Sequence, residues 1–150
     1  SSGSSIWFNS VLRGDVAKII IGANTNIQDN TTIHGTRPNH HLNKTKSEGG
    51  IVTIGNNVTI GHNCIIHACT IASNTFIGMG SILMDLAIIN QFAMLGAGSL
   101  VSPGTVIPSN ELWLGKPAKF KRKLTDLEIA YISKSAKNYY ELSRSYLNDK

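Results

Sequence analysis

Histidines are the residues of this 150-residue sequence whose type and spacing are best suited to chemistry. Three of them, His34, His62 and His67, lie in segments rich in isoleucine, whereas His40 and His41 lie in a polar stretch. Neutral imidazole is the commonest metal ligand in proteins, and three imidazoles are enough for a catalytic zinc site. Spacing alone leaves two possibilities open, namely one shared metal ion or ordinary packed and surface histidines.

The segments that carry the first three histidines follow a six-residue period of large apolar side chains. The markers form three runs: Ile21, Ile27 and Ile33; Ile54, Ile60 and Ile66; and Ile71, Ile77, Leu83, Ile89, Leu95, Val101, Ile107 and Trp113. Six residues advance an α-helix by about 600°, so a helix would place successive markers on different faces. A coil with three short sides places every marker inside. The period therefore predicts an all-β solenoid, a left-handed parallel β-helix of hexapeptide repeats, rather than a β-sandwich.

Two interruptions break this period, and both lie beside histidines. The period is lost over residues 35–50, a polar stretch typical of a loop, and one residue is missing from it between Ile66 and Ile71. Corners are expected where Asn residues separate the markers, because Asn tolerates a left-handed backbone at low cost. These corners are predicted at residues 24–26, 56–57 and 74.

After the last marker the sequence predicts an α-helix. Thr125 and Glu128 have the spacing of a capping box, and apolar side chains then recur at helical intervals. We therefore divide the chain into a β-helix over 1–115, with the loop at 35–50, and a C-terminal turn and helix over 116–150 that packs on the coil.

The distribution of charge argues against binding to nucleic acid. The formal net charge is +5, but residues 1–115 hold five basic and five acidic side chains, and residues 116–150 hold nine and four. A basic segment of this density, without an aromatic sheet motif, is more typical of a solvated helix face than of a phosphate-binding stripe. No membrane partner is expected either, because no run of 18 apolar residues and no signal peptide occurs in the sequence.

Two cysteines, Cys64 and Cys69, lack the C-x-x-C spacing of a redox or zinc motif and are expected to be buried free thiols. With the absence of a signal peptide, this predicts a cytoplasmic protein. The sequence begins Ser1-Ser2-Gly3 without a methionine, so we expect the natural N-terminus and any targeting segment to be missing.

Most of the chain resembles the γ-class carbonic anhydrases and their hexapeptide-repeat relatives, some of which are called ferripyochelin-binding proteins. The motif R-G-D, then N-x-Q-D, then H, then G-H-x-x-x-x-H occurs in this order. The similar segments are SIWFNSVLRGDV, IGANTNIQDNTTIHG, NNVTIGHNCIIHACTI, TFIGMGSILMD and LWLGKPAKF.

The resemblance implies that about two further coils normally precede the point where this sequence begins, so we expect the first coils of the β-helix to be missing. It also implies a homotrimer whose metal sites lie between subunits. His34 and His67 of one chain match two of the metal ligands, and His62 of a neighbouring chain matches the third. Zn2+ is the expected metal, and Fe2+ or Co2+ are alternatives, because imidazole accepts all three.

The resemblance also implies roles for other side chains. Gln28 matches the residue that hydrogen-bonds metal-bound water or hydroxide, and Asn26 matches its polar partner. Arg13 and Asp15 match an interface pair that orders the site, although such a pair can equally be structural. The implied reaction is attack of metal hydroxide on carbon dioxide, which gives bicarbonate.

The sequence departs from the best-known members of that family in two places. Val16 and Arg37 stand where those enzymes carry glutamates that move protons, and the acidic loop after the R-G-D segment is absent. His40 or His41 is a candidate replacement, although loop histidines without a role are commoner.

Two other functions therefore stay open. One is a metal-dependent thioesterase or an acyltransferase of the hexapeptide-repeat superfamily, although no segment matches the C-terminal cofactor-binding turns of the acyltransferases. The other is a trimeric scaffold that binds a metal or a ferric chelate without hydrating carbon dioxide. Loss of the two glutamate positions favours the scaffold.

Overall fold

The protein is a parallel β-solenoid of about five turns with one C-terminal helix. The computed structural model describes residues 1–38 and 50–148. In chain order the strands and the helix are β1 (Ser5–Ile6), β2 (Val11–Arg13), β3 (Ile19–Ile21), β4 (Asn26–Ile27), β5 (Thr32–His34), β6 (Val52–Ile54), β7 (Thr59–Ile60), β8 (Ile65–His67), β9 (Thr70–Ile71), β10 (Phe76–Ile77), β11 (Ile82–Leu83), β12 (Ile88–Ile89), β13 (Met94–Leu95), β14 (Leu100–Val101), β15 (Val106–Ile107), β16 (Glu111–Gly115), β17 (Ala118–Lys123) and α1 (Asp126–Asn148).

Three sheets form the sides of the left-handed triangular coil. Sheet A has the strand order β1-β4-β7-β10-β13-β16-β17, sheet B has the order β2-β5-β8-β11-β14, and sheet C has the order β3-β6-β9-β12-β15. The chain visits sheets A, B and C in turn, so that each coil pairs in parallel with the coil before it. The two last strands of sheet A, β16 and β17, are the exception and pair antiparallel.

The core consists of the aliphatic markers, which confirms the six-residue period. The register pairs Ile33 with Ile66 and Ile66 with Leu83, so equivalent side chains of successive coils stack in ladders. Burying one such side chain stabilises a fold by about 1.5–3 kcal/mol. The markers that are at most 1% exposed are Ile27, Ile33, Ile54, Ile60, Ile66, Ile71, Ile77, Leu83, Ile89, Leu95, Val101 and Ile107.

The corners turn on single residues with positive φ. Asn24, Asn57 and Asn74 have φ of 54°, 54° and 55°, as the Asn-rich segments predicted. Asn26, which was also assigned to a corner, instead lies in β4 and is buried. The reason is that the coil has already turned at Asn24, so the next residues are free to enter sheet A.

One corner is shorter than its neighbour, and this is the interruption seen after Ile66. Ile71 follows Ile66 by five residues. In the next coil their partners are Leu83 and Ile89, which are six residues apart. Both corners turn on one residue with positive φ, Ala68 at 45° and Leu86 at 61°. Asp85 is therefore the additional residue of the longer corner, and it has no counterpart in the preceding coil.

Residues 116–150 contain a strand that the sequence analysis did not predict. The strand β17 pairs with β16 and extends sheet A by an antiparallel edge. Its sequence, AKFKRK, is exposed at every position after Ala118, so it has no alternation of buried and exposed side chains that could reveal it.

The helix α1 begins at the predicted capping box and packs on sheet A against β1, β4 and β7. The backbone N–H of Thr125 donates to Glu128 Oε2 at 2.9 Å, and the backbone N–H of Glu128 lies 3.3 Å from the Thr125 hydroxyl. Ile132, Ser135 and Ala136 are the buried residues of the helix. In the part of the chain that the structure describes, no helix has the length and apolar character needed to cross a membrane.

The predicted loop lies mostly outside the described residues, and so do His40 and His41. Its two ends meet where Thr36 and Gly50 form an antiparallel bridge. Cys64 and Cys69 are buried free thiols, as predicted. Burial raises the pKa of Cys64 to about 11 and the pKa of Cys69 to about 12, so both thiols are protonated at neutral pH.

Candidate metal centre

His34 and His67 lie side by side at the ends of β5 and β8, where the register pairs them directly. Each follows an inward-facing isoleucine, and because side chains alternate along a strand, both imidazoles point out of the coil. Nδ1 of His34 lies 3.3 Å from Nε2 of His67, and the ring centroids are 5.3 Å apart. The fold thus brings two of the predicted ligands together at the corner between sheets B and C.

A carboxylate orients each of these two imidazoles. Asp85 Oδ2 is hydrogen-bonded to Nδ1 of His67, and Asp85 Oδ1 accepts from the Thr36 hydroxyl at 3.0 Å. Asp15 Oδ1 lies 3.1 Å from Nε2 of His34. Because a carboxylate oxygen accepts, the proton of each neutral ring lies on the nitrogen that faces its acid. The remaining two nitrogens then face each other with their lone pairs at 3.3 Å.

Arg13 extends this arrangement, since its guanidinium donates to Asp15 Oδ2 at 2.6 Å. Desolvation acts to raise the pKa of Asp15, but the hydrogen bonds from Arg13 and His34 and the charge of Arg13 outweigh it and hold the pKa below its usual value. Asp15 is therefore an anion at neutral pH. The predicted pair of Arg13 and Asp15 lies beside His34 and half-exposed at the surface of this chain.

A cavity of about 290 Å³ opens at this corner. Val16 and Arg37, the two departures from the glutamate positions, both lie in its wall beside the histidines. The lining residues are Arg13, Val16, His34, Gly35, Thr36, Arg37, His67 and Asp85.

His62 lies at a different corner, between sheets A and B. Its Nδ1 lies 2.9 Å from Asp29 Oδ2, because Asp29 holds the equivalent position in the coil before. The preceding Gly61 is required by close packing, since a Cβ there would lie 2.6 Å from the backbone nitrogen of Met79. With its Nδ1 facing a carboxylate, His62 presents Nε2 as its lone-pair nitrogen.

Gln28 and Asn26 belong to the same corner as His62. Gln28 Nε2 donates to Asn26 Oδ1 at 3.2 Å, and the exposed fractions of the two residues are 6% and 1%. Tyr139 of α1 also lies close, and burial, together with the Asp29 carboxylate, raises the pKa of its phenol. Among the described residues, Gln28 Oε1 has no hydrogen-bond partner.

The seven predicted site residues therefore form two groups on either side of sheet B. Arg13, Asp15, His34 and His67 lie at the corner between sheets B and C, whereas Asn26, Gln28 and His62 lie at the corner between sheets A and B. Within residues 1–38 and 50–148, no cluster of three His, Cys, Asp or Glu side chains is arranged to hold a metal ion. One chain alone does not bring the three predicted ligands together.

Comparisons with known proteins place this solenoid among its relatives. The chain is 45% identical to the carbonic anhydrase of Geobacillus kaustophilus over 143 residues, which are 95% of this chain and 72% of the relative. It is also 50% identical to the mitochondrial γ carbonic anhydrase 2 of Arabidopsis thaliana, over 98% of this chain and 51% of that protein. The chain belongs to the γ-carbonic anhydrase family. It spans about half the length of the Arabidopsis member.

The chain is also similar to a solved structure with a different family name. The crystal structure of a hexapeptide transferase family protein from Anaplasma phagocytophilum has a TM-score of 0.86 and 52% sequence identity, and the match covers 96% of this chain and 78% of that chain. No protein-family model matches the chain.

Three residues of the centre were missed by sequence reasoning in this member of the γ-carbonic anhydrase family. Asp85 and Asp29 orient histidines, and Thr36 orients Asp85. Asp85 lies 18 residues after His67, one more than the 17 that separate the paired Ile66 and Leu83, so a regular repeat gives no direct signal for it. The signal for Asp29 is its place at the end of the N-x-Q-D motif.

Proposed function

We propose that the chain is the subunit of a metal-dependent carbonic anhydrase, which catalyses the reversible hydration of carbon dioxide to bicarbonate. The observation that carries the proposal is the pair of imidazole nitrogens, on His34 and His67, that face each other at 3.3 Å with an acid behind each ring. With each ring proton on the nitrogen that faces its acid, these two nitrogens offer their lone pairs to one cation. Membership of a family with a curated relative named carbonic anhydrase supports the same function.

The donor set fits a tetrahedral divalent metal. Two nitrogens bound to one zinc ion, each about 2.0–2.1 Å from it, lie about 3.3–3.4 Å apart. The separation of Nδ1 of His34 and Nε2 of His67, 3.3 Å, agrees with this distance. We propose Zn2+ as the metal, with Fe2+ or Co2+ as the alternatives that three imidazoles also accept.

The third ligand in this proposal is His62 of a neighbouring subunit. The outward side chains of sheet B include Val11 and Ile65, which are 51% and 46% exposed and lie between the two corners. In the proposed contact, the edge of sheet B with His34 and His67 on one chain would meet the edge with His62 on the next chain. This contact would bury the apolar face between the two edges. A head-to-tail contact of this kind gives a ring when its rotation closes. We propose a ring of three, the assembly that the resemblance implies.

The residues of the chain have separate roles in the proposed reaction. A divalent metal held by the three histidines would lower the pKa of bound water towards about 7 and so supply a nucleophile at neutral pH. Asp85 and Asp29 hold the histidine tautomers, and Gln28 Oε1 accepts a hydrogen bond from the reacting water. The cationic side chains of Arg13 and Arg37 in the cavity wall attract bicarbonate, which is an anion.

Substitution of His62 is the first test. We expect His62→Ala to retain the solenoid and to lose more than about a hundredfold in kcat/KM for hydration of carbon dioxide, because a ligand is removed. Stopped-flow hydration and metal content by elemental analysis measure the effect on the same sample. Gln91→Ala, at an exposed corner position, is the control and should match the unsubstituted protein. Full activity of His62→Ala would rule out the proposed centre.

A scaffold that keeps the metal without hydrating carbon dioxide is the second candidate. Val16 and Arg37 favour it, because the cavity wall has no carboxylate at either position to move protons. One equivalent of metal per chain without hydration activity would support the scaffold. A panel of thioesters, tested with and without a chelator, addresses the thioesterase and acyltransferase alternatives, of which the hexapeptide transferase name of the Anaplasma relative suggests the second.

A further inference from the structure

A buried chain of side-chain hydrogen bonds runs from Gln28 to the C-terminal helix. Gln28 Nε2 donates to Asn26 Oδ1 at 3.2 Å, and Asn26 Nδ2 donates to Thr59 Oγ1 at 3.0 Å. The Thr59 hydroxyl lies 3.1 Å from Ser135 Oγ on α1. All four residues are at most 6% exposed. Four polar side chains are therefore connected in a region where an unpaired polar group is costly.

A backbone carbonyl group fixes the direction of the hydrogen bonds between these side chains. Asn26 Nδ2 lies 3.4 Å from the carbonyl oxygen of Val58, which can only accept a hydrogen bond. Asn26 must therefore turn its NH2 group towards Val58 and Thr59 and its oxygen towards Gln28. Gln28 in turn donates from Nε2, which leaves Oε1 as its unpaired group. If the Gln28 amide were reversed, its NH2 group would be the unpaired group at the corner of His62, instead of its oxygen.

The two hydroxyls hold the far end of the chain. Thr59 accepts from Asn26, so its own proton is available for Ser135, or Ser135 donates to it. Ser135 lies between Ile132 and Ala136, which are 0% and 3% exposed, so its hydroxyl is surrounded by apolar packing between α1 and sheet A. When Thr59 donates to Ser135, all three hydrogen bonds point in one direction and strengthen one another.

We propose that Thr59 and Ser135 are positioning residues that hold the Gln28 amide with its oxygen directed to the reacting water, an inference that rests on the proposed function. Neither residue touches the site itself. Their effect passes through Asn26, whose Nδ2 is shared between Thr59 and the backbone. The C-terminal helix is thus part of the support of the metal centre as well as a cover for sheet A.

The test combines two substitutions with two matched controls in the full-length, assembled protein. Thr59→Val removes the hydroxyl and keeps the shape, and Ser135→Ala removes the partner on the helix. Thr59→Ser restores a hydroxyl at the same place, and Ser133→Ala removes an exposed serine of the same helix. The readouts are the side-chain amide ¹H–¹⁵N resonances of Gln28, assigned by their loss in Gln28→Leu, and kcat and KM for carbon dioxide.

We expect Thr59→Val to shift or broaden the Gln28 amide resonances and to lower kcat about tenfold at nearly constant KM and metal content, as for other residues that orient a metal site indirectly. Ser135→Ala should have the same effect to a smaller extent. Both controls should resemble the unsubstituted protein, and Thr59→Ser tests rescue directly.

Unchanged Gln28 resonances in Thr59→Val would overturn the inference, whatever the activity. A lower melting temperature in Ser135→Ala without a change in those resonances would do the same, because it would show a purely structural role. If the resonances respond but the unsubstituted protein does not hydrate carbon dioxide, the positioning of Gln28 stands and the proposed function fails.

Discussion

At the scale of single residues, the acids behind the histidines decide which nitrogen can bind a metal. A neutral imidazole has two tautomers, and the hydrogen bond at one nitrogen selects between them. Asp85 and Asp29 each face Nδ1 of one histidine, so Nε2 is left as the lone-pair atom of His67 and His62. The centre therefore depends on residues that do not contact the metal in the proposed arrangement.

Asp85→Asn tests this dependence. An asparagine can turn its NH2 group towards Nδ1 of His67 and so favour the wrong tautomer, and we expect metal affinity to fall about 10–100-fold. Competition with a chromophoric chelator measures the affinity. Asp126→Asn, in the exposed first turn of α1, is the control for loss of one negative charge. Unchanged affinity in Asp85→Asn would mean that Asp85 has only a structural role.

The sequence predicts the histidines better than their supports. Three imidazoles beside irregularities in a regular repeat indicate a site, and the resemblance then suggests a role for each. Asp85 could not be chosen in this way, because its neighbourhood in the sequence is apolar and its link to His67 exists only when one coil stacks on the next. The grouping of the ligands across two chains stays a prediction.

At the scale of elements, the apolar period predicts the strands because each marker needs a place inside the coil. It does not predict β17, whose pairing depends on the edge of sheet A rather than on burial of its own side chains. Strands of two residues also have no internal pattern, so their bounds follow from the stacking of coils and not from local sequence. The predicted start of α1 was readable because a capping box is a local signal.

The start of α1 gives a prediction for stability against pH. Arg122 of β17 donates to both carboxylate oxygens of Glu128, at 2.7 and 2.8 Å, and these bonds, with that from Thr125, lower the pKa of Glu128 to about 2. A lowered pKa stabilises the fold above the ordinary value of 4.5, and the contribution is lost as pH falls from about 4.5 to about 2. Glu128→Gln keeps a capping-box side chain but loses the ion pair with Arg122, so it should lower the free energy of unfolding at pH 7 by about 0.2–1 kcal/mol.

Thermal unfolding followed by circular dichroism at pH 7, 4 and 2.5 measures this difference. The gap between Glu128→Gln and the unsubstituted protein should close as pH falls. Glu141→Gln is the matched control, because Glu141 has only a 3.7 Å contact with Lys137 on the exposed face of the same helix. A gap that stays constant from pH 7 to pH 2.5 would contradict the assignment.

At the scale of the whole molecule, the two groups of site residues lie at opposite edges of sheet B, and this allows a test of the proposed shared centre. His62→Ala keeps the edge with His34 and His67, and His34→Ala keeps the edge with His62. Each variant alone should be inactive. In a mixed trimer, which holds at least one copy of each variant, one of the three interfaces joins two intact edges, so about a third of the full activity should return.

Co-expression of two differently tagged chains, followed by purification through both tags, gives the mixed trimers for this measurement. A mixture of His62→Ala with itself under a second tag is the control and should stay inactive. No recovery in the mixed trimers would mean that the three histidines do not meet between chains. The predicted cytoplasmic location is a separate matter and stays a prediction.

The short corner between Ile66 and Ile71 has a consequence for how such sites arise and how they are recognised. Ala68 turns the chain one residue early, so the preceding coil has no residue that pairs with Asp85. The Asp85 carboxylate can therefore reach His67. An insertion of one residue there would make the solenoid more regular and separate the acid from the imidazole. In a family alignment, a gap at this corner would therefore carry as much information about metal binding as the histidines themselves.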